Sequence, residues 1–398
     1  MTGRPVLLLY CQHSLGVGHL KRSWTLAAAL ARDFRVVLVA GGASPRGLRP
    51  PRNIEIVGLP ALAQDPSGRL FVVEGTASVE ETRRQRIRIL VDTCDALRPA
   101  VVVIELFPFG RRKFAEEILT LLDRAHRSPR PIIASSVRDL LVDRGAEQQA
   151  HDDRVGQMLD AYFDTVLVHA DPQFATLDET FRPAAPVRLA VHHTGFIVGA
   201  TARLEVERTG RILVSGGGGR FGEHLYLAAI DAHDRLGPDA PPMTIVGGPL
   251  CPEETLTRIR STVANRVGIE VVSTVDDLSD AMRASAISVS QCGYNTALDI
   301  LRAGEPALVE PYADNGDSEQ SERARRLERL GAVRVLEAER LHTGDLATAI
   351  RATIAFVPNP LTLNLDGAPT SARILSTMQA ARASHPHGED RVLHERLA

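Results

Sequence analysis

The chain is 398 residues long, 44% hydrophobic and 24% charged, with a formal net charge of -3. Such a balance excludes a wholly disordered chain and lacks the polyelectrolyte character that draws proteins onto nucleic acid or anionic membranes. The length suits two domains.

Lysine occurs only at Lys21 and Lys113, so 44 of the 46 basic residues are arginine, which reads as coding bias of a GC-rich genome. Aromatics are 4% and acids lie among the arginines, unlike the basic stripe of a nucleic-acid binder. The four cysteines, Cys11, Cys94, Cys251 and Cys292, form no CxxC pair and fit a reducing compartment. No signal peptide and no apolar run of about 20 residues is found, so a cytoplasmic protein without a transmembrane segment is expected.

In chain order, Pro5 to Cys11 is a continuous apolar run, as expected of a strand buried on both faces of a parallel sheet. A glycine turn and a helix over His19–Arg32 follow. Strands are expected at Val36–Ala40 and Ile54–Val57, a helix at Val79–Leu97, and strands at Val101–Glu105, Ile132–Ser135 and Val166–His169. The arginine run Arg83, Arg84, Arg86 and Arg88 reads as a solvated helix face, and His192-His193 as solvated side chains near a linker. Between Ile197 and Thr209 the apolar runs stop.

The pattern then restarts. Strands are expected at Arg211–Ser215, Met243–Val246, Gly268–Val272, Ile287–Ser290 and Ala307–Glu310. Helices alternate with them at Glu223–Leu236, Glu253–Asn265, Asp277–Ala284, Tyr294–Ala303 and Glu319–Leu330, before a last strand and helix. Strands alternating with helices predict an α/β fold of two Rossmann-like parallel-sheet units. The boundaries read as 1–200, 210–370 and a C-terminal helix with a frayed tail over 371–398.

Three strand-to-helix turns carry the chemistry. The first is Gly16-Val17-Gly18-His19-Leu20-Lys21-Arg22. Small residues there admit a ligand to the backbone, and a histidine at the carboxyl end of a strand can serve as a base near neutral pH. It can equally be a tight turn with His19 as cap. The second is Ser215-Gly216-Gly217-Gly218-Gly219-Arg220, in which Gly217, Gly219 and Gly222 satisfy GxGxxG. No carboxylate ends the next strand, Val246-Gly247-Gly248, which argues against nicotinamide or flavin and leaves a loop for a diphosphate. The third is Ser290-Gln291-Cys292-Gly293-Tyr294-Asn295-Thr296, with Asp299 three residues on. Amides at that helix start would face an anion, and Asp299 could accept from ribose hydroxyls.

These residues carry a resemblance to GT-B glycosyltransferases. Within them the chain is most similar to the family that adds N-acetylglucosamine to a lipid-linked peptidoglycan precursor. Gly16, Gly18 and His19 match its first turn, Ser215 to Gly219 its donor loop, and Gly293, Thr296, Asp299, Ala303, Gly304 and Pro306 its donor helix. Glu319-Gln320 stands where that family has paired glutamines. Asp299 replaces a glutamate, Gln291 stands where many plant and antibiotic enzymes have histidine, and the loop from Glu105 through Arg112 has no match. The chain also resembles uncharacterised predicted glycosyltransferases with a GxGHxxR turn.

The resemblance implies a family-28-like GT-B enzyme that transfers a sugar from a nucleoside diphosphate sugar, UDP or GDP, with inversion. A soluble small-molecule acceptor, in natural-product biosynthesis, is the expectation. His19 is the first choice of base, with Glu105 and His13 behind it, and an ion pair of Glu105 with Arg111 or Arg112 stays open. Expected donor contacts are Gly18, Ser215, Gly216, Gly217, Gly218, Gly219, Arg220, Gly247, Thr274, Gln291, Gly293, Tyr294, Asn295, Thr296, Asp299, Glu319 and Gln320. No metal and no cofactor beyond the donor is expected, and a homodimer is left open. Hydrolysis or epimerisation of a nucleotide sugar, or binding without catalysis, are the alternatives.

Overall fold

A computed structural model describes residues 3–13, 18–43, 49–65, 67–127, 129–142, 144–199, 206–312, 319–341 and 344–384. The first unit begins with β1 (Val6–Cys11), α1 (Gly18–Leu30), β2 (Arg35–Ala40) and β3 (Glu55–Gly58). A short antiparallel hairpin, β4 (Leu62–Gln64) and β5 (Leu70–Val72), precedes α2 (Val79–Leu97) and β6 (Val101–Glu105). Next come α3 (Ala115–Ala125), β7 (Ile132–Arg138), α4 (Gln148–Tyr162), β8 (Thr165–His169), α5 (Leu177–Thr180) and β9 (Ala190–His193). Seven of these strands form one parallel sheet in the order β3-β2-β1-β6-β7-β8-β9.

The second unit opens with β10 (Ile212–Ser215), α6 (Glu223–Leu236), β11 (Met243–Val246) and α7 (Glu253–Val263). It continues through β12 (Ile269–Val272), α8 (Leu278–Ala284), β13 (Ile287–Ser290) and α9 (Tyr294–Ala303). It closes with β14 (Ala307–Val309), α10 (Glu319–Arg329), β15 (Arg334–Val335) and α11 (Asp345–Ile354). Its six strands are parallel in the order β12-β11-β10-β13-β14-β15.

The apolar run of β1 makes it the natural centre of its sheet. Leu7, Leu8 and Leu9 are fully buried, with Leu8 in one core cluster and Leu7 and Leu9 in another. Each such leucine contributes about 1.5–3 kcal/mol of burial. In both sheets the chain order reverses beside the first strand, between β1 and β6 and between β10 and β13. A crevice opens at the carboxyl ends of strands at such a reversal.

Several expectations are corrected. Arg86 is not solvated: it is fully buried, binding Glu117, Gln12 Oε1 and the carbonyls of Gly41 and Pro60. His193 is half-buried in β9 and accepts the Leu177 N–H at 3.2 Å. The last helix, α12 (Gly367–Ser384), starts ahead of 371 and packs on α1 of the first unit. There Ser376 donates to Asp33 at 3.0 Å and Arg382 to the Pro131 carbonyl at 2.8 Å. The tail after Ser384 and the linker stretch 200–205 lie outside the described residues.

Candidate active site

The two reversal points face each other across a cleft of about 1630 Å³. On the first unit's side, His19 stands in the first turn of α1, which follows β1, and Glu105 ends β6; β1 and β6 neighbour each other in the sheet. His19 Nδ1 lies 2.5 Å from Glu105 Oε1. Arg22 contacts that same oxygen, and Arg111 holds Oε2 at 2.9 Å. The loop that delivers Arg111 has Leu106 (φ 59°) and Arg111 (φ 62°) in the left-handed region, conformations that cost free energy and cluster where function needs them.

Burial works against the Glu105 charge, and the His19 N–H with the Arg111 and Arg22 guanidiniums outweighs it, so the carboxyl stays well below its ordinary range. Burial lowers His19 to about 3; Glu105 pulls it back up, and the Arg111 and Arg22 guanidiniums offset only part of that return. The charge assignment is therefore a carboxylate accepting from a neutral imidazole that carries its proton on Nδ1. Nε2 is left with a lone pair, and His19 lines the cleft. A neutral histidine oriented by a carboxylate is what a general base requires.

The opposing wall is a helix start. Gly293 is the N-cap of α9 and offers no side-chain cap, so the N–H groups of Tyr294, Asn295 and Thr296 have no partner within the helix. All three residues line the cleft. The start of α1 abuts this point: a Cβ on Gly18 would lie 3.2 Å from Asn295 Nδ2. Two helix N-termini thus converge, a setting that favours an anion.

The glycine loop is less open than its sequence suggests. Gly216 N–H donates to Tyr226 Oη at 3.2 Å, Gly217 N–H to Ser215 Oγ at 3.1 Å and Gly219 N–H to the Gly216 carbonyl at 3.0 Å. Gly218 alone keeps an unengaged amide among the described contacts of the loop. The expectation that the whole Gly216–Gly219 run grips a diphosphate is corrected accordingly. Its glycines serve close packing: a Cβ on Gly217 would meet Thr296 Oγ1 at 2.6 Å, and one on Gly219 the Gly247 carbonyl at 1.9 Å.

Of the expected donor residues, Gly18, Ser215, Gly217, Gly218, Thr274, Gly293, Tyr294, Asn295, Thr296, Asp299, Glu319 and Gln320 line the cleft. Gly216, Gly219, Arg220, Gly247 and Gln291 do not: Gln291 donates to the Phe221 carbonyl at 3.0 Å, and the Gly247 carbonyl accepts from Tyr226. His13 is also off the cleft, 6% exposed, with Nε2 2.9 Å from the Ala43 carbonyl. Glu105 is buried behind His19 rather than exposed to substrate. Gly16, Val17 and residues 313–318 lie outside the described residues.

Asp299 sits in the cleft 3.6 Å from Arg302 Nη1. Burial pushes its carboxyl up to about 7, against the pull of Lys21 and Arg302. Glu319 is tied to Arg323 at 2.5 Å and to Arg138 of the first unit, while Gln320 Oε1 accepts from Cys292 N–H at 3.0 Å. Burial pushes the Cys11 and Cys292 thiols up to about 12, which leaves them inert as nucleophiles.

Residues missed in the sequence are mostly arginines. Arg22 stood in the sequence as the last residue of the GxGHxxR turn, with no role assigned to it. Arg138 and Trp24 line the cleft with no motif to mark them. Among the described residues no cluster of three or more His, Cys, Asp or Glu can hold a metal ion, and no helix is long and apolar enough to cross a membrane.

Residues 250–364 match the glycosyltransferase family 28 C-terminal domain. The chain is 26% identical over 316 residues to the UDP-N-acetylglucosamine--N-acetylmuramyl-(pentapeptide) pyrophosphoryl-undecaprenol N-acetylglucosamine transferase of Sphingopyxis alaskensis, covering 76% of this chain and 72% of that one. Among solved structures, the calicheamicin glycosyltransferase CalG4 superposes with a TM-score of 0.55 at 14% identity over the whole of both chains. MurG of Acinetobacter baumannii gives 0.54 at 16% identity, over 94% of this chain and all of that one. With a family 28 C-terminal domain set on two facing parallel sheets, the chain is a glycosyltransferase of the GT-B fold.

Proposed function

We propose that the enzyme moves a sugar from a nucleoside diphosphate sugar to an acceptor hydroxyl in one inverting displacement. His19 Nε2 takes the acceptor proton, the acceptor oxygen bonds to the anomeric carbon, and the bond from that carbon to the phosphate oxygen breaks. The nucleoside diphosphate leaves with the electron pair. The observation that carries this reading is the uncapped start of α9 facing the neutral His19 imidazole, paired with the Glu105 carboxylate, across the cleft. Amides at Tyr294 to Thr296 and at Gly218 would stabilise charge on the departing diphosphate, the largest electrostatic demand of the step. Asp299 is assigned to the ribose.

We place a soluble small molecule in the acceptor position, along α1 where Trp24, Ala28, Pro50 and Pro51 line the cleft. A lipid-linked acceptor is the second reading, favoured by the pyrophosphoryl-undecaprenol in the name of the Sphingopyxis alaskensis relative. The test is release of UDP or GDP from a panel of nucleotide sugars, with and without acceptor, against soluble aglycones and against polyprenyl-linked ones. Release that never depends on acceptor would mean hydrolysis. Binding without release would mean a non-catalytic protein.

A further inference from the structure

Arg22 is 3% exposed and touches two groups that belong to different parts of the site. It contacts Oε1 of Glu105, the same oxygen that His19 Nδ1 approaches at 2.5 Å. Its guanidinium lies 5.3 Å from the ring centroid of Tyr294, in the opposite unit. Tyr294 in turn is the first residue of α9, whose open amides face the cleft, and its hydroxyl donates to the His169 carbonyl at the end of β8 at 3.2 Å. Arg323 also lies against that ring, at 5.8 Å.

The tyrosine ring is therefore held from both units, and its placement bears on Arg22 directly. A guanidinium can satisfy a carboxylate edge-on while lying flat on an aromatic face; an ammonium cannot do both. We propose that Arg22 is a positioning residue that couples the seating of α9, and with it the donor, to the alignment of the His19–Glu105 pair. This rests on the base role given to His19 above. When α9 moves, the platform under the guanidinium moves, and the shared Glu105 oxygen loses one of the two groups that fix it. The imidazole then drifts from the geometry that proton transfer needs, where a misplacement of about 1 Å costs on the order of 100-fold.

The experiment is a double-mutant cycle of Arg22→Lys and Tyr294→Leu in the full chain. Turnover is read at saturating donor and acceptor. Binding of UDP and GDP is read from the fluorescence of Trp24, the chain's single tryptophan, which lines the cleft. Each single change is expected to lower kcat by about 10-fold or more, the Arg22→Lys change leaving nucleotide affinity within about 3-fold, and the pair falling no further than the more damaging single. Losses that multiply, or an Arg22→Lys enzyme that loses affinity as much as turnover, would overturn the coupling. Should Tyr294→Leu melt below the assay temperature, Tyr294→Met replaces it with the same two outcomes. A His19→Ala enzyme with normal turnover defeats the base assignment whatever the cycle shows; multiplying losses beside an inactive His19→Ala enzyme defeat the coupling alone.

Discussion

Arg323 of α10 closes a two-point pair with Asp139 across the two units, Nε to Oδ2 at 2.8 Å and Nη2 to Oδ1 at 3.0 Å, both side chains 1% exposed. The same guanidinium reaches Glu319 at 2.5 Å and the Cys292 carbonyl at 3.1 Å. Four of its five N–H donors are engaged where the units meet. Removing one partner strands a buried charge. Asp139→Ala is expected to destabilise the protein by about 3–5 kcal/mol, measured by urea denaturation. Asp139→Leu with Arg323→Met should cost less than Asp139→Ala alone, since neither charge is then left buried without its partner.

His19 should be the residue on which turnover depends most. Its replacement by Ala is expected to lower kcat by about 100- to 10,000-fold while nucleotide affinity, read by calorimetry, holds. The pH profile gives an independent check. With His19 lowered to about 3, the base is already unprotonated, so kcat/KM should show no acid limb from this residue between about pH 5 and 8. Arg111 is one of the charges that hold His19 down, so Arg111→Met should move such a limb upward. For stability the sign is that of a depressed histidine. Its contribution is present above 6.5 and is lost as the pH falls toward 3.

Asp299 has the opposite sign. Burial raises its carboxyl from 3.8 to about 7, so its contribution to stability falls as the pH rises from 3.8 to about 7 and is level above that. Asp299→Asn should raise Tm above pH 7 and change it less in mild acid, a difference that scanning calorimetry resolves. The same change should weaken UDP or GDP binding by about 1.5–3 kcal/mol, on the order of 10- to 100-fold, if the carboxylate accepts from the ribose hydroxyls. Unaltered affinity would sink that assignment.

The gap between the glycine loop and α9 should tolerate little. Gly217 has φ of 62° and no room for a methyl group beside Thr296 Oγ1. Gly217→Ala is expected to cost about 1–2 kcal/mol in stability from the backbone alone, and to weaken nucleotide binding beyond that by pushing Thr296 aside. Gly237, which has a φ of 88° and nothing within 4 Å of an added Cβ, is the control: Gly237→Ala carries the backbone cost without the loss of affinity.

The units and the turns between strand and helix were legible because local chemistry marks them. The helix Val79–Leu97 reads to its ends, since Ser78 and Glu81 close a capping box at its start. Tyr294–Ala303 reads as well, with Gly304 at φ 65° supplying its C-cap. The hairpin at Leu62–Val72 and the strand Ala190–His193 escaped notice because three- or four-residue pairings leave no period to detect. Helix Gln148–Tyr162 is polar with few apolar points, and Gly367-Ala368-Pro369 begins a helix with residues that read as loop.

In the site, His19 and the α9 amides were legible from glycines and a single histidine at a strand end. The charge state of His19 was not. It depends on Glu105 and Arg111, which arrive from a loop more than eighty residues away and meet Arg22 only after folding. Likewise, no spacing rule shows that the hydroxyls of Ser215 and Tyr226 occupy two amides of the glycine loop. Arg86 shows the same limit in the core. Its neighbours Arg84 and Arg88 are exposed, and a run of arginines does not say which one turns inward.

The return of α12 to α1 means that, among the described residues, the polypeptide leaves the first unit, builds the second, and comes back to the first. The second unit is topologically an insert. An exchange of donor modules between related enzymes should therefore be cut at two seams, near residues 206 and 366, and a single crossover would strand the terminal helix with the wrong host.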